Sequence, residues 1–123
     1  MTDHEIQEYL SDNGYPKHVV EGGRDGLVKR YKKFVEEVER GYDLSIFDYR
    51  NDLDGRAILR MIGADGESDI NHLDDRLETM LIARDKRVWE SAPETPFWDF
   101  GYPKNAKGDL LRDLQSEGLT ERP

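Results

Sequence analysis

Between Ser45 and Arg56 the chain reads Ser-Ile-Phe-Asp-Tyr-Arg-Asn-Asp-Leu-Asp-Gly-Arg, which sets three carboxylates, Asp48, Asp52 and Asp54, among aromatics and arginines. Asp48 and Asp52 are four residues apart, so on a helix they project from one face a turn apart. Two like charges at that spacing could share a divalent cation or receive an arginine from a partner. The same residues also support a reading without chemistry. In it Asp48 helps cap the helix, Asp52 pairs with Arg56 and Arg50 with Asp54, and each exposed pair contributes only a few tenths of a kcal/mol. This salt ladder accounts for most of the stretch. The Asp48 and Asp52 pair still carries more charge than helix stability requires, and it is the first place to look for a partner.

Other chemistries find less support. His4 with Glu8, and Asp69 with His72 and the nearby Asp75 or Arg76, have helical spacing that a metal could use in part. Neither set reaches His-Glu-x-x-His or a Glu-x-x-His pair on two helices, and His18 has only Glu21 within helical reach, so no metal or other cofactor is expected. There is no Gly-x-Ser-x-Gly elbow, and Ser45 and Ser68 read as helix caps. Gly22-Gly23-Arg24-Asp25-Gly26 follows no strand and lacks the lysine and hydroxyl of a phosphate loop, so it reads as a helix junction. The chain has no cysteine, which excludes disulfides, thiolate metal sites and cysteine nucleophiles. Trp89, Phe97, Trp98, Phe100 and Tyr102 remain. They could line a pocket or anchor a partner, or they could simply close a small core.

The elements that must position these residues follow from apolar periodicity. Glu5 to Leu10 suits a short helix, broken by Asp12-Asn13-Gly14-Tyr15-Pro16. Pro16 can open another helical turn carrying Val19 and Val20, which Gly22-Gly23 ends. From Gly26 to Arg40, Leu27, Val28, Tyr31, Phe34, Val35 and Val38 trace one stripe at a period of 3.6, and Gly41 supplies the stop. Lys32–Glu36, Lys33–Glu37 and Glu36–Arg40 can pair along its wet face. Ser45 with Asp48 resembles a capping box opening a helix to about Ile62, with Gly55 marking either a bend or a close approach of another segment. A long helix is expected from about Asp69 to Glu90, with Arg84 interrupting its apolar edge. Residues 91–105 read as an irregular aromatic clasp, with room for a short strand. A last helix, about Ala106 to Glu117, ends in a Schellman turn that folds Leu119 back on Leu114. The expectation is an all-α fold: one domain spanning 1–123, built of four or five helices.

Val20-Glu21-Gly22-Gly23, the run from Phe34 to Tyr42 and the run from Asp48 to Asp54 together resemble a group of small bacterial proteins of no assigned activity. The similarity covers about residues 15–62. It implies a bacterial, cytosolic protein and transfers no catalytic residue.

The 123 residues carry a formal net charge of -9, with 37% charged and 36% hydrophobic residues. A negative field of this size disfavours nucleic acid and would steer a basic protein or a cation to the surface, although acidity also simply keeps a protein soluble. The acidic excess lies at the N-terminus and across residues 44–79. The polar start is unlike a signal peptide and no apolar run approaches membrane-spanning length, so a cytoplasmic protein with no membrane partner is expected. The function these features favour is a non-catalytic acidic binding protein, such as an immunity or antitoxin-like inhibitor of a basic protein. Asp48, Asp52 and Asp54 would steer the partner, and Trp98 and Tyr102 would anchor it. The alternatives are a small metal-dependent or carboxylate-based enzyme or small-ligand binder, and a self-assembly module.

Overall fold

The chain folds mainly into helices in a computed structural model that describes residues 1–83 and 101–119. Thr2 starts α1 (Asp3–Asp12) with a full capping box: its hydroxyl accepts from the Glu5 N–H and Glu5 bonds back to the Thr2 N–H. These bonds hold the Glu5 carboxyl below its ordinary range. Ile6 and Leu10 face inward from α1.

Helix α2 (Lys17–Arg40) joins what reads in the sequence as two helices. Pro16 sits just outside it as the N-cap rather than inside its first turn, and its carbonyl accepts from the Val19 and Val20 N–H groups. The joint is a kink at Gly23, whose φ of 57° and ψ of -150° fall in a region essentially restricted to glycine. The kink lets Val19 before it and Leu27, Tyr31, Phe34, Val35 and Val38 after it reach the same core. Gly41 (φ 106°) ends the helix as expected. The wet-face pairs anticipated along α2 do not form among the described residues. Glu39 instead holds Arg76, and Arg24 holds Glu67 and Asp69, tying α2 to α4.

Helix α3 (Ile46–Met61) opens with the expected Ser45–Asp48 box. Its Gly55 neither bends the helix nor admits a close neighbour: a Cβ built there meets nothing within 4 Å outside its own helix. Helix α4 (Ser68–Met80) starts one residue earlier than a Ser68 cap would place it, with Glu67 as N-cap. It also stops far short of Glu90. At Leu81 the backbone turns extended, and β1 (Leu81–Ala83) pairs antiparallel with β2 (Gly101–Pro103), matching Leu81 to Pro103 and Ala83 to Gly101. β2 is the short strand for which the clasp had room. The aromatic segment's Trp89, Phe97, Trp98 and Phe100, together with Arg84, lie outside the described residues.

Helix α5 (Gly108–Ser116) buries Leu110 and Leu114 and ends in the expected Schellman turn, with Leu119 N–H bonding to Leu114 O at 2.8 Å. The helices share one core, built around α2. Phe34, Tyr42, Tyr49 and Tyr102 interlock in it with ring centroids 5.4–6.0 Å apart, in edge-on or tilted pairs. Each of these buried rings contributes about 1.5–3 kcal/mol of transfer free energy, so the aromatic group is a principal source of stability.

Candidate functional site

The three aspartates of α3 are each engaged differently. Asp48 is exposed at the first turn, where its carboxylate accepts from the Ser45 backbone N–H (3.3 Å) and hydroxyl (2.8 Å). Asp52, one turn on, is half-buried and accepts a 2.6 Å hydrogen bond from the Tyr42 hydroxyl. Burial, then that bond and the charge of Asp52, push the Tyr42 phenol well above its ordinary value. Asp54 is exposed on another side, and Tyr15 donates to it at 3.4 Å.

The salt ladder read from the sequence does not form. Arg50 reaches instead to the Tyr102 hydroxyl (3.0 Å) and to Glu117 (3.5 Å). Arg56 turns inward, only 2% exposed, where it grips Asp74 through Nε (2.8 Å) and a terminal nitrogen (2.9 Å). Asp65, on the α3–α4 loop, approaches the same guanidinium at 2.7 Å. Tyr31 from α2 donates to Asp74 at 2.6 Å, and the guanidinium carbon lies 5.9 Å from its ring centre. Burial, followed by the bond to Asp74, raises the Tyr31 phenol far above its ordinary value. This network of Arg56, Asp74, Asp65 and Tyr31 escaped the sequence reading. The signal was available: Ile46, Tyr49, Leu53, Arg56 and Leu59 form one stripe, and Arg56 is its only charged member.

Tyr102 is 7% exposed, so its ring belongs to the core rather than to an anchoring surface. Its ring packs against Tyr49, and its hydroxyl accepts from Arg50. Trp98 lies outside the described residues. The exposed apolar side chains sit elsewhere. Phe47 is 75% and Leu44 48% exposed, flanking Ser45 and Ile46 at the start of α3, and Met61 is 64% exposed at its end. Phe47 was legible as a residue off the apolar stripe, one position after Ile46.

The corner that carries Leu44 and Phe47 is held firmly from beneath by the start of α5. Lys107 N–H bonds to Tyr42 O (3.0 Å), Asp109 N–H bonds to Asp43 O (3.1 Å), and the Asp113 carboxylate accepts from Ile46 N–H (3.0 Å). Asp113 thereby satisfies a free donor at the N-terminus of α3. Three recesses follow the α2–α3 junction. One of about 420 Å³ lies at this corner between Glu37, Tyr42 and Leu44, a second of about 180 Å³ lies between Lys33, Glu37 and Asp52, and a third of about 190 Å³ lies over Gly55.

Among the described residues no group of three or more His, Asp or Glu is arranged to hold a metal ion. His4 meets Glu8 at 3.0 Å on an exposed face of α1, and His72 is exposed on α4. No helix among the described residues is long and apolar enough to cross a membrane. No protein-family model, curated protein or solved structure matches the chain, so the chemistry of the site rests on its own residues.

Proposed function

We propose that this protein is a non-catalytic acidic binding protein, acting as an immunity or antitoxin-like inhibitor of a basic protein partner. The observation that carries the reading is the α2–α3 corner. There Phe47 and Leu44 stand exposed beside the carboxylates of Asp43 and Asp48 on backbone pinned by α5. A large apolar ring in water beside acidic neighbours suits a partner surface that pairs a basic rim with an apolar recess. The pinned backbone lowers the ordering cost of association, because the corner is already in its binding conformation. The net charge of -9 speeds encounter with such a partner. Asp48 and Asp54 are exposed and free to steer, whereas Asp52 is committed to Tyr42 and serves to hold the corner.

The reading is tested by capture from the native host at low salt, identification of the captured protein, and affinity measurement with that protein purified. Phe47→Ala weakens binding at least about tenfold, as expected of a central aromatic anchor, without changing the melting temperature. Asp43→Asn with Asp48→Asn slows association and flattens its salt dependence. If no basic protein is recovered, or if the recovered one binds the Phe47 variant as well as wild type, the corner is not the binding surface.

A further inference from the structure

We propose that Asn13, which precedes Gly14, is a site of spontaneous covalent modification, where the side-chain amide cyclises onto the backbone and hydrolyses to aspartate and isoaspartate. This does not rest on the partner-binding reading and concerns the C-terminal end of α1. The reaction needs a side-chain acid or amide carbon one residue before a backbone nitrogen that can turn toward it. Glycine in second place hinders that turn least. Four such pairs occur: Asn13–Gly14, Asp25–Gly26, Asp54–Gly55 and Asp65–Gly66. Three are blocked by the structure. Asp25–Gly26 lies within α2 and Asp54–Gly55 within α3, where the helical backbone holds the glycine nitrogen in place and rotating it would break the helix. Asp65 meets Arg56 at 2.7 Å and Arg60 at 3.5 Å, which keep it ionised, and a carboxylate anion resists nucleophilic attack. Asn13 offers a neutral amide carbon, and both it and Gly14 are exposed in the turn after α1. The remaining asparagines lack this combination. Asn51 and Asn71 lie inside α3 and α4, and Asn105 precedes Ala106 with its amide bonded to Glu39 O.

Asn13 is the C-cap of α1, with φ -93° and ψ 10°. Its Nδ2 donates to Tyr9 O at 2.8 Å, and the Gly14 N–H donates to Ser11 O at 3.1 Å. Both bonds close the same exposed last turn, so fraying of that turn releases leaving group and nucleophile together. Rotation about the Asn13 ψ then brings the Gly14 nitrogen to Cγ. A Cβ built on Gly14 would meet nothing within 4 Å, so no neighbour obstructs the movement. The Gly14 nitrogen gives its proton to solvent and bonds to Cγ, while the Cγ–Nδ2 bond breaks and the nitrogen leaves as ammonia with a proton from water. A second water opens the cyclic imide at either carbonyl, giving aspartate or its β-linked isomer. Either product weakens the end of α1. The new carboxylate cannot donate to Tyr9 O, and it places negative charge at a helix C-terminus that has no basic residue in its last turn. The β-linked product also lengthens the backbone within the turn that carries the Tyr15 N–H to Leu10 O, next to a fully buried Leu10.

The test is ageing of the full chain in mildly alkaline buffer, followed by peptide mapping with mass spectrometry and an isoaspartyl-specific methylation assay. The peptide holding Asn13 is expected to gain the mass of amide-to-acid exchange first and to become a methyl acceptor, while those holding Asn51, Asn71 and Asn105 keep their amides. Gly14→Ala is expected to slow the conversion. Alanine at the Gly14 φ of 77° strains the turn and favours its opening, so a slower reaction in this variant reports the chemistry and not a tighter fold. Asn13→Asp, which carries the product's charge, is expected to melt below wild type. The proposal is overturned if another asparagine converts before Asn13, if Asn13 stays an amide throughout, or if Gly14→Ala converts as fast as wild type. An Asn13→Asp variant that melts with wild type overturns the claimed effect on α1.

Discussion

Removing Asp74 should be the most damaging single change on the polar side of this fold, and the network around Arg56 sets the size of the effect. Asp74 is the bidentate acceptor of a guanidinium 2% exposed, and it also accepts from Tyr31 at 2.6 Å. Truncating it to alanine takes the bidentate acceptor from a charged, buried Arg56 that still meets Asp65, and leaves the Tyr31 hydroxyl without its acceptor. Breaking a buried pair in this way costs roughly 3–5 kcal/mol. The Asp74 side chain is 16% exposed, so water can reach part of the gap, and the lower end, about 3 kcal/mol, is expected. Asp65 touches the same guanidinium at 2.7 Å but is 44% exposed, and Asp65→Ala should cost about 1 kcal/mol or less. Urea denaturation of the two variants at pH 7 separates them. With a slope of about 1.5 kcal/mol/M, the midpoint falls by about 2 M for Asp74→Ala and by less than about 0.7 M for Asp65→Ala.

A double variant isolates the cause. Arg56→Met with Asp74→Leu removes both charges and leaves apolar side chains against Tyr31, so it should be more stable than Asp74→Ala alone. Equal losses for Asp74→Ala and Asp65→Ala would refute the reasoning, because burial would then not be deciding the cost. A double variant as unstable as the sum of its parts would refute it as well, since the loss would then be of packing and not of charge compensation.

Gly55→Ala should raise stability by about 1 kcal/mol, read as a higher urea midpoint, because helix propensity improves and the new methyl meets no atom. At the kink, Gly22→Ala should be neutral or mildly stabilising. Gly23→Ala should cost about 1–3 kcal/mol, since it forces a side chain into a positive-φ conformation with its Cβ 3.3 Å from Asp3; thermal melts of the pair check both. Stability should also fall as pH rises beyond about 10. Tyr31, Tyr42 and Tyr49 have phenols raised above that ordinary value by burial, so the folded state retains protons that the unfolded chain releases, and their contribution, complete below pH 10, is lost above it. Tyrosinate absorbance should therefore appear together with unfolding in an alkaline titration. Ionisation of all tyrosines ahead of the loss of helix would contradict it.

The helices were legible where one signal governed them. The stripe from Leu27 to Val38, the Ser45–Asp48 box and the Gly118-Leu119 turn are local patterns, and each is satisfied within a few residues of itself. What escaped the sequence depends on partners far along the chain. Nothing between Asp69 and Met80 announces that Leu81 will pair with Pro103; the apolar periodicity runs on, and a strand partner 22 residues further along overrides it. Arg50 and Arg56 had acidic neighbours at helical spacing, which made a ladder on the helix surface the economical reading. Tertiary structure supplied better acceptors, Tyr102 and Glu117 for one and Asp74 for the other. An exposed pair along a helix contributes a few tenths of a kcal/mol, whereas an inward-facing guanidinium left uncompensated costs several, so the buried demand is met first.

This ordering also explains the distribution of the aspartates, which makes the binding reading narrower than the sequence suggested. Tyr42 needs an acceptor because its ring is locked between Phe34 and Tyr49, and Asp52 is the carboxylate on the side of α3 that faces it. The pair Asp48 and Asp52, which shares a helix face by spacing, is thus divided in function: one acid is spent on the core and the other stays in water at the cap. A divalent ion bridging the two would have to take Asp52 from a buried phenol and Asp48 from its capping contacts together. Steering a partner asks for neither, because a charge acts at a distance while its hydrogen bonds stay intact. The acidic face of α3 is therefore better suited to attracting a cationic surface toward Phe47 than to coordinating an ion between its own side chains.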